Sequence, residues 1–185
     1  MRSLWLEYTH FLVSYLQRAP PKGTKTNKQS IAKICSKHQR EKQVEIWIEE
    51  LKQINEETRN SFNLAAEKYF ELFKDEMKHK EYDRALLDKF AGNFDSKSII
   101  CDVGCGPGHI TRYLFDKGLN VFGIDISERC IQIARRENPE MRFQVMDMAR
   151  SDIADESIDG IISFYSIIHT PKRLIHFLSH EFKSA

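Results

Sequence analysis

The chain has 185 residues, 41% of them hydrophobic and 30% charged, the balance of a folded domain and not of a disordered or fibrous chain. Lys and Arg number 28 against 27 Asp and Glu, so a net charge of +1 gives no whole-chain field that would favour nucleic acid or an anionic membrane. No apolar run reaches the ~18 residues of a membrane helix; the nearest, Leu4 to Leu16, is broken by Glu7 and His10 and lacks a signal-peptide cleavage pattern.

Along the chain the charge divides unevenly. Residues 1–56 carry ten Lys/Arg against six Asp/Glu, and residues 57–185 carry eighteen against twenty-one. Every glycine except Gly23 lies beyond residue 90, so the sequence reads as a helical extension with a basic linker, 1–56, before a domain at 57–185. In the extension, Leu4, Tyr8, Phe11, Leu12, Tyr15 and Leu16 recur at helical steps, and Ala19-Pro20-Pro21-Lys22-Gly23 ends that helix. Arg18 to Lys42 holds eight Lys/Arg and one acid, which reads as a solvated linker. Val44, Trp47, Ile48, Leu51 and Ile54 then share one face of a further helix. The string REKQVEIWIEEL has a passing likeness to a homeodomain recognition helix. Glu49, Glu50 and Leu51 stand where base- and phosphate-reading Asn and Arg belong, which disfavours nucleic acid. These two helices are expected to pack on the domain or on a partner.

From residue 57 onward, Ala65, Tyr69, Leu72 and Phe73 mark a helix, and a second covers Tyr82 to Phe90. Ser98 to Val103 is an apolar run long enough only for a strand. A helix at Ile110–Lys117, a strand at Asn120–Ile126 and a helix capped by Ser127 and reaching Glu137 follow. Further strands are expected at Arg142–Met146 and Gly160–Tyr165, and a last helix at Pro171–Phe182. Alternation of this kind predicts an α/β fold with a parallel sheet covered by helices. The cysteines Cys35, Cys101, Cys105 and Cys130 show no paired CxxC spacing, so reduced thiols in a cytoplasmic protein are expected, with no disulfide framework and no metal.

The loop after the first strand reads Asp102-Val103-Gly104-Cys105-Gly106-Pro107-Gly108-His109. Its glycines allow a sharp strand-to-helix turn and let a ligand lie against bare backbone. Counted from Gly104, the third glycine falls at Gly108, one place early for a dinucleotide fingerprint, whose position His109 holds. That spacing behind an acid favours S-adenosylmethionine over NAD. Asp125 ends the second strand 21 residues after Gly104, where a carboxylate can accept from both hydroxyls of a ribose. Asp147 ends the third strand, placed to accept from an adenine amino group, with Met148 as an apolar surface for the ring.

From about Asn63 onward the chain resembles the class I S-adenosylmethionine-dependent methyltransferases of small-molecule type. The likeness rests on ICDVGCGPGHITRYL, VFGIDIS, FQVMDMA and IDGIISFYSIIHTP in that order, behind AAEKYFELF and YDRALLDKFA. It implies a Rossmann-like sheet with strands ordered 3-2-1-4, an N-terminal helical extension outside the domain, and S-adenosyl-L-methionine as cofactor. It further implies cofactor contacts at Asp102, Gly104, Gly106 and Gly108, with Asp125 and Ile126 at the ribose, Asp147 and Met148 at the adenine, and Ser163 and Phe164 at the methionyl end. Tyr69 matches a tyrosine that often lies over the cofactor in such enzymes. Tyr165 and His169 face the acceptor region and are the candidates for catalysis.

The family's sheet has seven strands, so the chain is expected to carry the cofactor half of a methyltransferase and to stop short of the acceptor half. Gly160 to Tyr165 would then be an apolar edge that pairs with a complementing chain or oligomer. The function expected is methyl transfer to a small-molecule acceptor, with no membrane involved. The alternative is a truncated, non-catalytic module that binds the cofactor or a partner.

Overall fold

The computed structural model describes residues 37–148 and 158–168. It begins with helix α1, Lys37–Phe73, followed by a short 3₁₀ turn at Glu76–Lys78 and helix α2, Glu81–Ala91. Strand β1, Ile99–Val103, leads through the glycine loop into α3, His109–Asp116. Then come β2, Asn120–Asp125, α4, Glu128–Glu137, β3, Arg142–Val145, and β4, Gly160–Ile162. The expected helices Leu4–Leu16 and Pro171–Phe182 lie outside the described residues.

The four strands form a parallel sheet in the order β3-β2-β1-β4, as the resemblance implied. Register pairs Ile99 with Asn120 through Val103 with Ile124, and Phe122 with Arg142 through Asp125 with Val145. On the other side of β1, Ile100 pairs with Gly160 and Asp102 with Ile162. Strand order therefore reverses between β1 and β4, beside the glycine loop, which is where doubly wound sheets take their ligands.

Side chains of alternate direction build two apolar clusters. Ile100, Val121, Phe143 and Ile162 join Leu87 and Phe90 of α2, Ile110 and Leu114 of α3, and Ile131 and Ala134 of α4. Each such fully buried Leu or Ile contributes on the order of 1.5–3 kcal/mol relative to exposure. Cys101, Val103 and Ile124 gather with Met146, Met148 and Ile158 in the other cluster. Cys101, Cys105 and Cys130 are buried free thiols.

Three expectations change. The extension's last helix and the domain's first are one helix, because nothing between Ile54 and Asn60 is glycine or proline; the division at 56/57 falls inside it. Its buried side is Ala66 with the partly buried Phe62 and Phe70, packed on Cys130 and Ile133 of α4, while Leu72 is 65% exposed and Ala65 faces solvent. β4 ends at Ile162 and not at Tyr165, because Tyr165 turns to φ 58 and Ser163 bonds Ser166 across the bend.

Candidate functional site

The C-terminal ends of β1, β2 and β3 converge on one pocket whose far wall is α1. The glycine loop makes its floor. Gly104 and Cys105 both donate their amides to the Ile124 carbonyl, at 2.8 and 3.0 Å, which pins the loop to β2. Gly106 has φ +54, and a Cβ there would meet nothing within 4 Å, so its backbone lies open to the pocket. Gly108 does something else: with φ +88, its missing Cβ makes room for the Phe143 ring at 2.9 Å and Ala134 at 3.2 Å. It serves helix-to-sheet packing and, like Ser163, stands outside the pocket wall, so neither expected cofactor contact lines the site.

Asp125 receives the Gly106 amide on Oδ2 at 2.9 Å and the Ser127 amide on Oδ1 at 2.8 Å. Burial raises its pKa, and these backbone donors oppose the rise. Each oxygen keeps lone-pair capacity toward the pocket, which fits a ribose diol. Ile126 lines the pocket beside it. Asp102 is buried beneath the loop, where its Oδ2 accepts the Thr111 hydroxyl at 2.7 Å. Desolvation pushes its pKa up to about 6 against that hydrogen bond.

At the opposite end, Asp147 and Met148 line the pocket with Met146. Both Asp147 oxygens accept from the Asn55 amide nitrogen of α1 at 2.9 Å, and Trp47, Ile54 and Met148 pack on Leu51. The middle of α1 is fixed by Asn63, whose Oδ1 accepts the Ser127 hydroxyl at 2.7 Å and the Arg129 amide at 3.1 Å. Ser127 caps α4 as expected, its own oxygen accepting the Cys130 amide.

The glycine-loop end is aromatic and charged. Tyr69 stacks on Phe73 at 4.5 Å and lies 6.4 Å from the His109 ring. Phe164 and Tyr165 close the β4 side in an edge-to-face pair. His109 Nε2 meets Glu76 Oε1 at 2.7 Å, and Lys80 bonds Glu76 Oε2 at 2.7 Å. Tyr165 donates to Asp83 at 3.1 Å, while the Lys80 ammonium lies over the Tyr165 ring. Burial pushes Glu76 up, yet hydrogen bonds from His109 and Lys80 outweigh it and leave the carboxyl below its usual value. Desolvation lifts the Tyr69 and Tyr165 phenols to about 12, with Glu76 adding to the first and Asp83 to the second. His169 lies outside the described residues.

Nine of the expected residues thus meet in one place: Tyr69, Asp102, Gly104, Gly106, Asp125, Ile126, Asp147, Met148 and Phe164, with Tyr165 beside them. Reading the sequence did not find Asn55, Glu76, Lys80 or Asp83. A polar Asn55 next to the apolar stripe Trp47, Leu51, Ile54 was a faint signal; the charged residues around the start of α2 look like an ordinary solvated surface.

Residues 100–184 match the methyltransferase-domain family model. A malonyl-[acyl-carrier protein] O-methyltransferase of Enterobacter lignolyticus is 29% identical over 87 residues, 46% of this chain and 35% of that protein. An S-adenosyl-L-methionine-dependent Diels-Alderase of Talaromyces variabilis is 32% identical over 80 residues, 39% of this chain and 27% of that one. The matched stretch spans between about a quarter and about a third of these curated relatives' own length. Among solved structures, magnesium protoporphyrin IX methyltransferase from Synechocystis, with bound S-adenosylmethionine, superposes with a TM-score of 0.60 at 20% identity, over 71% of this chain and 72% of that one, a likeness of fold.

Proposed function

We propose that the chain, whose residues 100–184 match a methyltransferase-domain family model, is a class I S-adenosylmethionine-dependent methyltransferase that transfers the cofactor's methyl group to a small-molecule acceptor. The observation that carries this reading is the single pocket in which open Gly106 backbone, the Asp125 carboxylate and the Asp147 carboxylate lie in that order. Such a row suits a methionyl group, a ribose diol and an adenine amino group. The cofactor supplies a sulfonium-bound methyl group, activated for in-line displacement. The protein's part is to orient: Asp125 holds the ribose, Gly106 leaves the backbone bare, and Tyr69, Phe164 and Tyr165 exclude water where the acceptor meets the methyl group.

An acceptor that must shed a proton would meet His109, which lines the pocket and is steadied by Glu76 at 2.7 Å. Tyr165, with its hydroxyl given to Asp83, serves as a wall and not as a base. The relatives' names point to different substrates, a malonyl-acyl carrier and a magnesium porphyrin, so the acceptor is not taken from them. Buried free thiols at Cys101, Cys105 and Cys130 support a cytoplasmic location.

Calorimetry with S-adenosylhomocysteine tests the reading. Binding by the full chain, lost at least tenfold in Asp125→Ala, is the expected result; about one charge-assisted hydrogen-bonding site is removed. No binding by folded protein would overturn it. A second reading, a cofactor-binding module that performs no methyl transfer, draws support from the relative named for a different cofactor-dependent reaction and from β4 at the edge of the described sheet. It predicts the same binding with no methylated product from any acceptor, and a partner chain on β4.

A further inference from the structure

We propose that Asn55, in a segment preceding the family-matched residues, is a second reader of the ligand's nucleobase and selects for an exocyclic amino group. This rests on the cofactor reading above. The Asn55 amide nitrogen donates to both oxygens of Asp147 at 2.9 Å, a contact that joins residues 92 apart in sequence. Asn55 also lines the pocket, as do its neighbours Ile54 and Thr58. An asparagine in the interior of a long helix is a weak helix former, and here it stands beside the apolar stripe that packs on Met148. Its nitrogen is committed to the carboxylate, which fixes the amide plane, and its carbonyl oxygen takes no hydrogen bond among the described residues.

The consequence is chemical. A carboxylate offers about four lone-pair sites, more than Asn55 occupies, and the Asn55 carbonyl adds another acceptor beside it. The adenine end of the pocket therefore presents acceptors from two elements, α1 and the end of β3. A primary amino group on a heteroaromatic ring carries two N–H donors and satisfies both. A 6-oxo ring carries an acceptor at that position and faces these part-buried acceptors with a like group. Asn55 is a specificity-determining residue for adenine over its deaminated counterpart.

The experiment compares S-adenosylhomocysteine with S-inosylhomocysteine by calorimetry on the full chain and on Asn55→Ala and Asn55→Ser, with circular dichroism to confirm helix content. Wild type is expected to favour the adenosyl compound by at least tenfold. Both variants are expected to lose about tenfold for the adenosyl compound and little for the inosyl compound, so that the preference narrows. Equal loss for both compounds would mean that Asn55 supports the pocket without reading the base, and would overturn the proposal. Unchanged affinities in the two variants would overturn it as well. Failure of the wild-type chain to bind either compound defeats the cofactor reading itself, and is thereby distinguishable from failure of Asn55 to discriminate.

Discussion

Thr111 donates its hydroxyl to Asp102 across 2.7 Å, and both side chains are withdrawn from solvent beneath the glycine loop. The acid at the end of β1 is thus a supporting member of the loop as well as part of the pocket wall. Removing the hydroxyl leaves a buried carboxylate with one donor fewer. Thr111→Val is expected to lose about 2–3 kcal/mol in urea unfolding, and Thr111→Ser to lose less than half of that.

Asp102 also makes a stability prediction with a definite sign. Its native pKa of about 6 lies above the ~3.9 of an unfolded aspartate. Between those values the native state holds a proton that the unfolded state has shed, so stability falls as pH rises through the window and is level above it. Relative to Asp102→Asn, the wild-type chain is expected to lose on the order of 2–3 kcal/mol from pH 4 to pH 6.5. Paired urea titrations at each pH read the difference; parallel profiles would contradict it.

Glu76 behaves in the opposite sense. His109 and Lys80 hold it below its usual value despite burial, so its contribution is complete above the unfolded glutamate pKa and fades as pH falls through the native one. Glu76→Gln is expected to cost about 1–2 kcal/mol at pH 7 and almost nothing at pH 3. Thermal melts at the two pH values decide it.

The phenols of Tyr69 and Tyr165 titrate at about 12, above an ordinary tyrosine near 10. Ultraviolet titration of tyrosinate should show a late phase that shrinks in Tyr69→Phe and again in Tyr165→Phe. Both groups make the native state progressively weaker from pH 10 to pH 12, since there the unfolded chain has released protons the native chain keeps.

The two glycines Gly106 and Gly108 separate ligand space from packing space. Gly106→Ala adds a methyl that touches no protein atom, so the fold should lose no more than about 1–2 kcal/mol while binding of S-adenosylhomocysteine is blocked. Gly108→Ala drives a methyl to 2.9 Å from Phe143 at φ +88, and should cost several kcal/mol, on the order of 3, before binding is at issue. Melting temperatures with and without ligand tell the two apart.

How far the sequence carries this picture depends on the range of the interaction. Strand and helix positions from Ile99 to Val145 were legible because local periodicity and glycine punctuation decide them. Asp125 and Asp147 were legible because motif order along a parallel sheet becomes position along its C-terminal edge. The packing role of Gly108 was not legible, since a glycine needed for Phe143 looks the same in sequence as one needed for a phosphate or a methionine. Asn55 on Asp147, and Glu76 on His109, join residues 92 and 33 apart, and no local pattern reports such a meeting.

α1 has a geometric consequence of its own. Asn55 and Tyr69 belong to one uninterrupted helix, 14 residues and therefore about 21 Å apart along its axis, with Asn63 bolted to the head of α4 between them. The helix is a ruler laid along the pocket, with one mark at Asp147, one at the head of α4 and one at the glycine-loop end. One residue inserted between Asn55 and Asn63 would swing the first mark by about 100° while leaving the others in place.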